Sequence, residues 1–228
     1  MKLSNATLAE LPVPGPSYDR DNVGIGIVHF GVGGFHRAFQ AMYIDRLLEQ
    51  GLARDWGICG VGVLPADRRM RDVLHAQDGL YTLVLGHADG RRDARVIGSL
   101  VDYRYAPDDL DAVIELLAAP STRMISMTIT EGGYLDDGLT WSVFALITEA
   151  LARRRDRGLP SPTIVSCDNM EANGVAARRA VITNAERRHP DLTDWITTHT
   201  RFPNSMVDRI TPATTPEVVA EVRRDFGV

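Results

Sequence analysis

The sequence Ile25-Gly-Ile-Val-His-Phe30 runs directly into Gly31-Val-Gly-Gly34, and a helix-like stretch follows from about Phe35 to Gln50. A short apolar run with β-branched residues predicts a buried strand. A glycine turn after such a strand lets backbone amides approach a pyrophosphate, and the next helix N-terminus adds unpaired N–H groups. This unit is typical of dinucleotide-binding domains. His36 replaces the third glycine of the usual motif, so the turn must be built differently.

The turn supplies most of the candidate cofactor-binding residues, because its amides and flanking side chains would lie nearest to the phosphates. These candidates are Gly31, Val32, Gly33, Gly34, Phe35 and Arg37. Arg37 would either lie beside the phosphates or form an internal salt bridge, and spacing alone favours neither. The turn by itself is also compatible with S-adenosylmethionine, with FAD or with a purely structural role.

The adenosine end of a dinucleotide site normally has an acidic residue after the second strand. The stretch Trp56–Val63 predicts that strand, and Asp67 follows it as a candidate ribose-binding residue. An Asp before a helix is also a good N-cap, so a structural role stays open. Arg68 and Arg69 would tolerate a 2′-phosphate. We therefore expect NAD as the cofactor, with NADP possible.

Strands and helices alternate along the rest of the chain. Further strands are predicted at 80–85, 96–105, 123–130 and 163–167, and helices at 68–75, 107–119, 141–157, 172–188, 193–200 and 216–226. The alternation predicts an α/β, Rossmann-type domain with an open, mostly parallel sheet and helices on both faces. The stretches 80–85 and 96–105 are expected to pair beside the main sheet. Residues 1–22 are interpreted as an N-terminal arm, and residues 23–228 as the dinucleotide-binding domain.

Two later segments combine polar residues with strand ends, where ligands of open α/β sheets gather. In the segment 128–134, Thr130 is a candidate cofactor contact, and Glu131 precedes two glycines that a plain turn does not need. After the next strand, the Asn169 amide could donate to a developing alkoxide. The alternative is that Asp168 or Asn169 only caps the following helix.

Composition excludes several classes of function. The chain has 228 residues, 44% of them hydrophobic, and a net charge of −5. A mildly acidic protein is not expected to bind nucleic acid, because phosphate binding needs a positive surface. The arginines between 153 and 157 are interpreted as the solvated end of a helix. Cys59 and Cys167 are expected to be buried thiols, and their spacing predicts no metal site.

The N-terminus and the apolar runs bear on location. Glu10 and three prolines interrupt the first residues, so they do not form the apolar core of a signal peptide. No apolar run approaches the roughly 20 residues that span a bilayer. We therefore expect a cytoplasmic protein with no membrane partner.

Four segments in this order resemble the polyol-specific long-chain dehydrogenases, the family of mannitol 2-dehydrogenase and fructuronate reductase. The segments are Ile27-Val-His-Phe-Gly-Val-Gly-Gly-Phe-His-Arg37, Thr128-Ile-Thr-Glu-Gly-Gly-Tyr134, Ser166-Cys-Asp-Asn169 and Phe202-Pro-Asn-Ser-Met-Val-Asp-Arg-Ile-Thr-Pro212. They are far more specific than the glycine turn alone. Within the family, the likeness is closest to mannitol 2-dehydrogenase, supported by Trp56–Gly62 and Gln77–Leu83.

The resemblance implies a reversible, metal-independent hydride transfer between NAD(P) and a sugar alcohol/ketose pair, typically D-mannitol and D-fructose. In the family, a lysine of the C-terminal domain is the general acid/base, and asparagine amides polarise the substrate oxygen. Asn169 matches one of those asparagines, and Glu131 matches a glutamate associated with proton movement near the lysine. Asp208 lies in the motif that borders the active centre. These three residues are the candidate catalytic residues, and the full-length form is expected to be a monomer.

Three departures from the family pattern bear on these expectations. Phe39 stands where the glycine motif usually continues to a histidine, and the acidic pair of NAD-preferring relatives is reduced to Ala66-Asp67. The lysine motif is absent, since Lys2 is the only lysine in the chain. We therefore expect a fragment or truncated reading frame that lacks the C-terminal helical domain of the family.

Three alternatives stay open. One alternative is that the substrate is a hexuronate, as in fructuronate reductase, or another polyol. The sequence leaves this open because the residues that contact the far end of the substrate should lie largely outside this chain. A non-catalytic dinucleotide-binding module is an alternative of another class. A methyltransferase is more distant, because Glu131, Asn169 and Asp208 would then need an unrelated explanation.

Overall fold

A parallel sheet organises the chain in the computed structural model, which describes residues 3–134, 142–207 and 209–228. The strands are β1 (Ile25–Phe30), β2 (Gly57–Gly62), β3 (Tyr81–Gly86), β4 (Arg92–Ile97), β5 (Leu100–Tyr105), β6 (Met124–Met127) and β7 (Thr163–Ser166). Five of them form one sheet in the order β5-β2-β1-β6-β7, and every pair in it is parallel. The predicted Rossmann-type fold is confirmed.

Helices cover both faces of this sheet. They are α1 (Gly34–Ala38), α2 (Gln40–Glu49), α3 (Asp67–Ala76), α4 (Leu110–Ala118), α5 (Val143–Asp156), α6 (Asn173–Arg188), α7 (Thr193–His199) and α8 (Pro216–Phe226). On one face, Val28 and Phe30 of β1 pack with apolar side chains of α4, α5 and α6. On the other face, Ile27 packs with side chains of α2, α3 and the β3–β4 hairpin. Alternate residues of β1 therefore belong to two separate cores.

The predicted helix from Phe35 to Gln50 is interrupted, and a single helix was wrong here. Phe39 has φ −119° and ψ −90°, outside the helical region, so α1 ends before it and α2 begins after it. His36 is five residues ahead of Ala41, and in an unbroken helix the two would lie about 140° apart. With the break, both residues are buried on the same face of β1: Ala41 packs in the core that contains Ile27, and His36 stacks on His29.

The predicted strand at 96–105 is two strands with different partners. β4 pairs only with β3, in an antiparallel hairpin, whereas β5 joins the main sheet beside β2. The chain changes direction at Gly98, whose amide donates to Asp45 Oδ1 at 2.9 Å. A Cβ at Gly98 would lie 2.4 Å from Pro16 Cγ, so only glycine fits at this corner.

The N-terminal segment packs on the hairpin together with the C-terminal helix. Leu8 and Val13 form a small apolar cluster with Leu80 and Val96, and Phe226 of α8 packs against the same cluster. The division into an arm at 1–22 and a domain at 23–228 stays a proposal. No helix of the described ranges is both long and apolar enough to cross a membrane.

Candidate dinucleotide and substrate site

The strand order reverses between β1 and β6, where the chain leaves both strands at the same edge of the sheet. Gly31, directly after β1, has φ +81°, a conformation that favours glycine. A Cβ at this residue would lie 2.1 Å from the carbonyl oxygen of Thr128, directly after β6. The close approach of these two segments therefore requires glycine, and it forms the floor of the crevice in which open α/β sheets bind ligands.

The rest of the glycine turn faces open space. The Gly33 amide donates to the Gly31 carbonyl at 2.7 Å, which fixes the turn. A Cβ at Gly33 would have its nearest neighbour at 3.9 Å, and one at Gly34 would meet nothing within 4 Å. Both residues are exposed. The turn is therefore an unfilled cradle of the kind that backbone amides offer to a pyrophosphate.

The side chains of the turn make contacts within the protein. Val32 is buried at 5% exposure, and Phe35 stacks on Phe39 with ring centroids 5.1 Å apart. The Arg37 guanidinium donates to the Val32 carbonyl at 3.3 Å and lies 5.9 Å from the centre of the Tyr81 ring. Arg37 thus braces the turn from below and forms no ion pair with any described residue.

A buried histidine that sequence reasoning missed supports the turn. His29 of β1 is fully buried, with Nδ1 2.8 Å from Ser126 Oγ and Nε2 3.3 Å from the Gly31 carbonyl oxygen. Burial lowers the pKa of His29 to about 3, so the ring is neutral at physiological pH. The sequence feature that could have indicated this role is a single polar residue within an otherwise apolar strand.

The Asp67 carboxylate, proposed to bind the adenosine ribose, also accepts hydrogen bonds from the loop that precedes α3. Asp67 begins α3, and its Oδ2 accepts hydrogen bonds from the amides of Val63 and Leu64, both at 2.9 Å. Arg68 and Arg69 follow on the exposed surface and form no ion pair with any residue that the structure describes. Asp67 is not the N-cap of α3, because the capping position is Ala66 and no side chain caps the helix, so that alternative was wrong. The ribose-binding role stays a prediction.

Two loops meet at the ends of β6 and β7. Thr130 adopts a left-handed conformation with φ +61°, and Glu131 begins the short 3-10 helix Glu131–Tyr134. The Thr130 amide and the Tyr134 hydroxyl both donate to Asp168, at 2.8 Å each. Glu131 is exposed and has no partner among the described residues.

Neither Asp168 nor Asn169 caps the following helix, so the capping alternative was wrong. The residue before α6 is Ala172, with φ +50°, and no side chain caps the helix. Asn169 is exposed, and within the described ranges its amide makes no hydrogen bond. Sequence reasoning missed Asn173, whose side chain donates to the Asp168 carbonyl at 3.1 Å and accepts from the Ser205 amide at 2.9 Å.

The segment 202–212 crosses the same edge of the sheet. The Gly174 amide donates to Asn204 Oδ1 at 3.0 Å, and a Cβ at Gly174 would lie 2.5 Å from the Pro203 carbonyl oxygen. Further on, Arg209 donates to the Ala38 carbonyl at the end of α1. Described residues of this segment therefore contact both the start of α6, after β7, and the end of α1, after the glycine turn. Asp208, a candidate catalytic residue, lies outside the described residues.

The arrangement matches a known family. Residues 25–226 match the family described as the mannitol dehydrogenase Rossmann domain. The chain belongs to the mannitol dehydrogenase family. The resemblance drawn from the four sequence segments is thereby confirmed.

Relatives of this mannitol dehydrogenase domain extend well beyond it. Mannitol 2-dehydrogenase of Phaeosphaeria nodorum is 45% identical over 249 aligned positions, which cover all of this chain and 44% of the relative. Polyol:NADP oxidoreductase of Gluconobacter oxydans is 41% identical, covering 99% of this chain and 51% of the relative. The chain spans about half the length of the curated relatives it matches.

Two solved structures superimpose closely on the mannitol dehydrogenase domain. One is a ternary complex of Pseudomonas fluorescens mannitol 2-dehydrogenase with NAD and D-mannitol, at TM-score 0.93 and 41% identity over 99% of this chain and 50% of that chain. The other is a substrate-free D-sorbitol dehydrogenase, at TM-score 0.92 and 38% identity over 100% of this chain and 51% of that chain.

The structure also tests what was expected of the arginines at 153–157 and of Cys167. Among the arginines at the end of α5, Arg154 is buried and donates to backbone carbonyls, whereas Arg153, Arg155 and Arg157 form ion pairs at the surface. The expectation of a wholly solvated helix end was wrong for Arg154. Cys167 is half-buried rather than buried, and burial raises the pKa of its thiol to about 11.

Proposed function

We propose that this chain is the dinucleotide-binding half of an NAD-dependent polyol dehydrogenase that interconverts a sugar alcohol and its ketose. The observation that carries the proposal is the open glycine cradle above the Gly31–Thr128 contact, at the point where the strand order reverses. The Rossmann-domain match and the NAD bound in the Pseudomonas fluorescens complex support the same cofactor.

The residues fit a dinucleotide across this edge of the sheet. The Gly33 and Gly34 amides would hold the pyrophosphate, and Asp67, after β2, would approach the adenosine ribose. The nicotinamide half would then lie on the opposite side of β1, near Thr130. Bound NAD would supply the hydride acceptor in polyol oxidation. Val32, Phe35 and Arg37 would support the cradle mainly by shaping the turn.

The chain's own contribution to the chemistry is to orient the substrate and stabilise charge. The exposed Asn169 amide would donate a hydrogen bond to the substrate oxygen, which carries negative charge as its proton leaves. Glu131, exposed after β6, would carry protons between solvent and the general base that takes the proton from the substrate oxygen. Asp208 would border the same active centre. Lys2 is the only lysine of the chain. The lysine base is therefore proposed to come from outside these residues.

D-Mannitol and D-fructose are the proposed substrate pair, because curated relatives that are 45% and 44% identical to the chain are mannitol 2-dehydrogenases. A second candidate is D-sorbitol, which the 38% identity to a D-sorbitol dehydrogenase supports. We propose that the enzyme works as a monomer in the cytoplasm.

The test joins this chain to the remaining half of the Pseudomonas fluorescens enzyme and measures NAD reduction with D-mannitol, D-sorbitol and a hexuronate. We expect D-mannitol to be oxidised fastest. Asn169→Ala should lower kcat about a hundredfold, the scale of losing one charge-stabilising donor, without changing the NADH dissociation constant. Asn22→Ala, which removes an exposed amide that donates to Asp19, is the control.

A folded chimera that binds NADH but turns over no polyol would contradict the proposed reaction. Faster turnover of D-sorbitol or the hexuronate would contradict only the proposed substrate. An Asn169→Ala variant with unchanged kcat would remove Asn169 from the catalytic residues.

A further inference from the structure

Asp168 is a buried carboxylate that joins two loops at the candidate site. It is 5% exposed and lies directly after β7. Oδ1 accepts the Thr130 amide at 2.8 Å, and Oδ2 accepts the Tyr134 hydroxyl at 2.8 Å. The same hydroxyl lies 2.5 Å from Ser166 Oγ. Both carboxylate oxygens are therefore occupied by one loop, and the bonds to it are charge-assisted.

The loop held in this way needs such support. Thr130 has φ +61°, a conformation that residues with a Cβ rarely adopt and that persists only when the surroundings impose it. The bond from its amide to Asp168 fixes the peptide just before Glu131. Without that bond, relaxation of Thr130 would turn the next peptide and reorient the Glu131 side chain.

The loop lies on one particular side of the crevice. β2 and β5 are on one side of β1, and β6 and β7 are on the other. With the pyrophosphate at the glycine turn and the adenosine beside Asp67, the nicotinamide half falls over β6 and β7. Asp168, directly after β7, lies on the same side of β1 as that half.

We propose that Asp168 is a positioning residue whose carboxylate holds the loop Thr130–Tyr134 in the conformation that presents Thr130 and Glu131 to the nicotinamide half of the bound cofactor. The inference rests on the proposed function, because it requires a dinucleotide in this crevice. It assigns Asp168 no contact with the substrate.

The experiment compares two ligands of the intact chain by calorimetric titration: NADH, and ADP-ribose, which lacks the nicotinamide. Asp168→Ala should weaken NADH binding about tenfold, as expected when a hydrogen-bonded buried group is lost, and should change ADP-ribose binding less than about twofold. Asp168→Asn keeps an oxygen acceptor for the Thr130 amide and should restore most of the NADH affinity.

Asp45→Ala is the matched control for lost stability. Asp45 is also a buried carboxylate, and its partners, the Gly98 amide, the Tyr18 hydroxyl and the Arg95 guanidinium, do not belong to this loop. It should lower the melting temperature without changing the ratio of the two dissociation constants. If Asp168→Ala does not fold, Tyr134→Phe removes one of the bonds to Asp168 and should change the ratio about threefold.

The outcomes separate the two proposals. A folded Asp168→Ala or Tyr134→Phe protein with the wild-type ratio would overturn the positioning role while leaving the dinucleotide site intact. An equal loss of both affinities would also overturn it, because Asp168 would then support the fold in general. A folded wild-type chain that binds neither ligand would overturn the proposed function, and the positioning role with it.

Discussion

The imidazole ring of His36 stacks on that of His29, with ring centroids 3.6 Å apart and planes inclined by 14°. His36 occupies the position at which the dinucleotide-binding motif has its third glycine, the residue that allows the helix to approach the strand. Here two flat rings separate α1 from β1 at van der Waals distance. A stacked pair of rings therefore takes the place of the missing glycine at this contact.

The stack predicts that His36 is important for stability. His36 is 1% exposed, and neither ring nitrogen has a hydrogen-bond partner among the described residues, so packing is its main contribution. His36→Ala should lower the free energy of unfolding by about 2–3 kcal/mol, the scale of a cavity left by a large buried side chain. Urea unfolding measures this loss. His87→Ala, at a half-buried hairpin residue whose ring contacts the exposed Asp93, should change it by less than about 1 kcal/mol.

A second prediction concerns pH. Burial lowers the pKa of His29 to about 3 in the folded chain, whereas the unfolded chain keeps the ordinary value of about 6.5. Between these two pH values the unfolded chain therefore binds a proton at this residue and the folded chain does not. The stabilisation from neutral His29 is therefore complete above about pH 6.5 and declines as the pH falls towards 3. The stability gap between wild type and His29→Gln should shrink by about 1.4 kcal/mol per pH unit below pH 6. A gap that stays constant from pH 7.5 to 5 would contradict a neutral buried imidazole.

The glycine turn gives a third prediction, from two matched substitutions. Gly31→Ala places a Cβ 2.1 Å from a backbone carbonyl at φ +81° and should destabilise the fold by at least about 3 kcal/mol. Gly34→Ala meets no neighbour within 4 Å, so its melting temperature should stay close to that of wild type. Its methyl group would fill the cradle, and the NADH dissociation constant should rise about tenfold or more. Unchanged NADH binding by Gly34→Ala would place the pyrophosphate elsewhere.

A fourth prediction concerns the 2′-hydroxyl of the adenosine ribose. Asp67 is partly engaged by two amides, Ala66 offers no second carboxylate, and Arg68 and Arg69 are exposed. We expect the chain to bind NADPH within about tenfold of NADH. Ala66→Glu should weaken NADPH binding about tenfold by like-charge repulsion with the 2′-phosphate and leave NADH binding nearly unchanged. A variant that weakens both equally would show that this loop does not face the ribose.

The alternating strands of the main sheet could be predicted because each is a short apolar run that ends in glycine or polar residues. The separation of β4 from β5 could not, since the extended pattern continues from Val96 to Tyr105 and the contacts at the corner, of Gly98 with Asp45 and Pro16, come from distant parts of the chain. The break at Phe39 was hidden in the same way, because aromatic and aliphatic residues keep a helical spacing through it.

In the candidate site too, features set by local sequence could be predicted, and contacts between distant residues could not. The placement of Gly31, Glu131 and Asn169 beyond strand ends could be predicted from sequence, because each follows a recognisable strand within a distinctive local pattern. The bond from Thr130 to Asp168 joins residues 38 positions apart, and the His29 contact with Ser126 joins residues 97 apart. Such contacts depend on which strands are neighbours, and local sequence does not contain that information.

A fluorescence titration of the folded 228-residue chain with NADH tests the central claim most directly, with Gly34→Ala titrated in parallel. We predict saturable binding by the wild-type chain and binding at least about tenfold weaker by the variant, with no oxidation of D-mannitol by either protein. A folded chain that binds neither NADH nor NADPH would contradict a dinucleotide site at this turn.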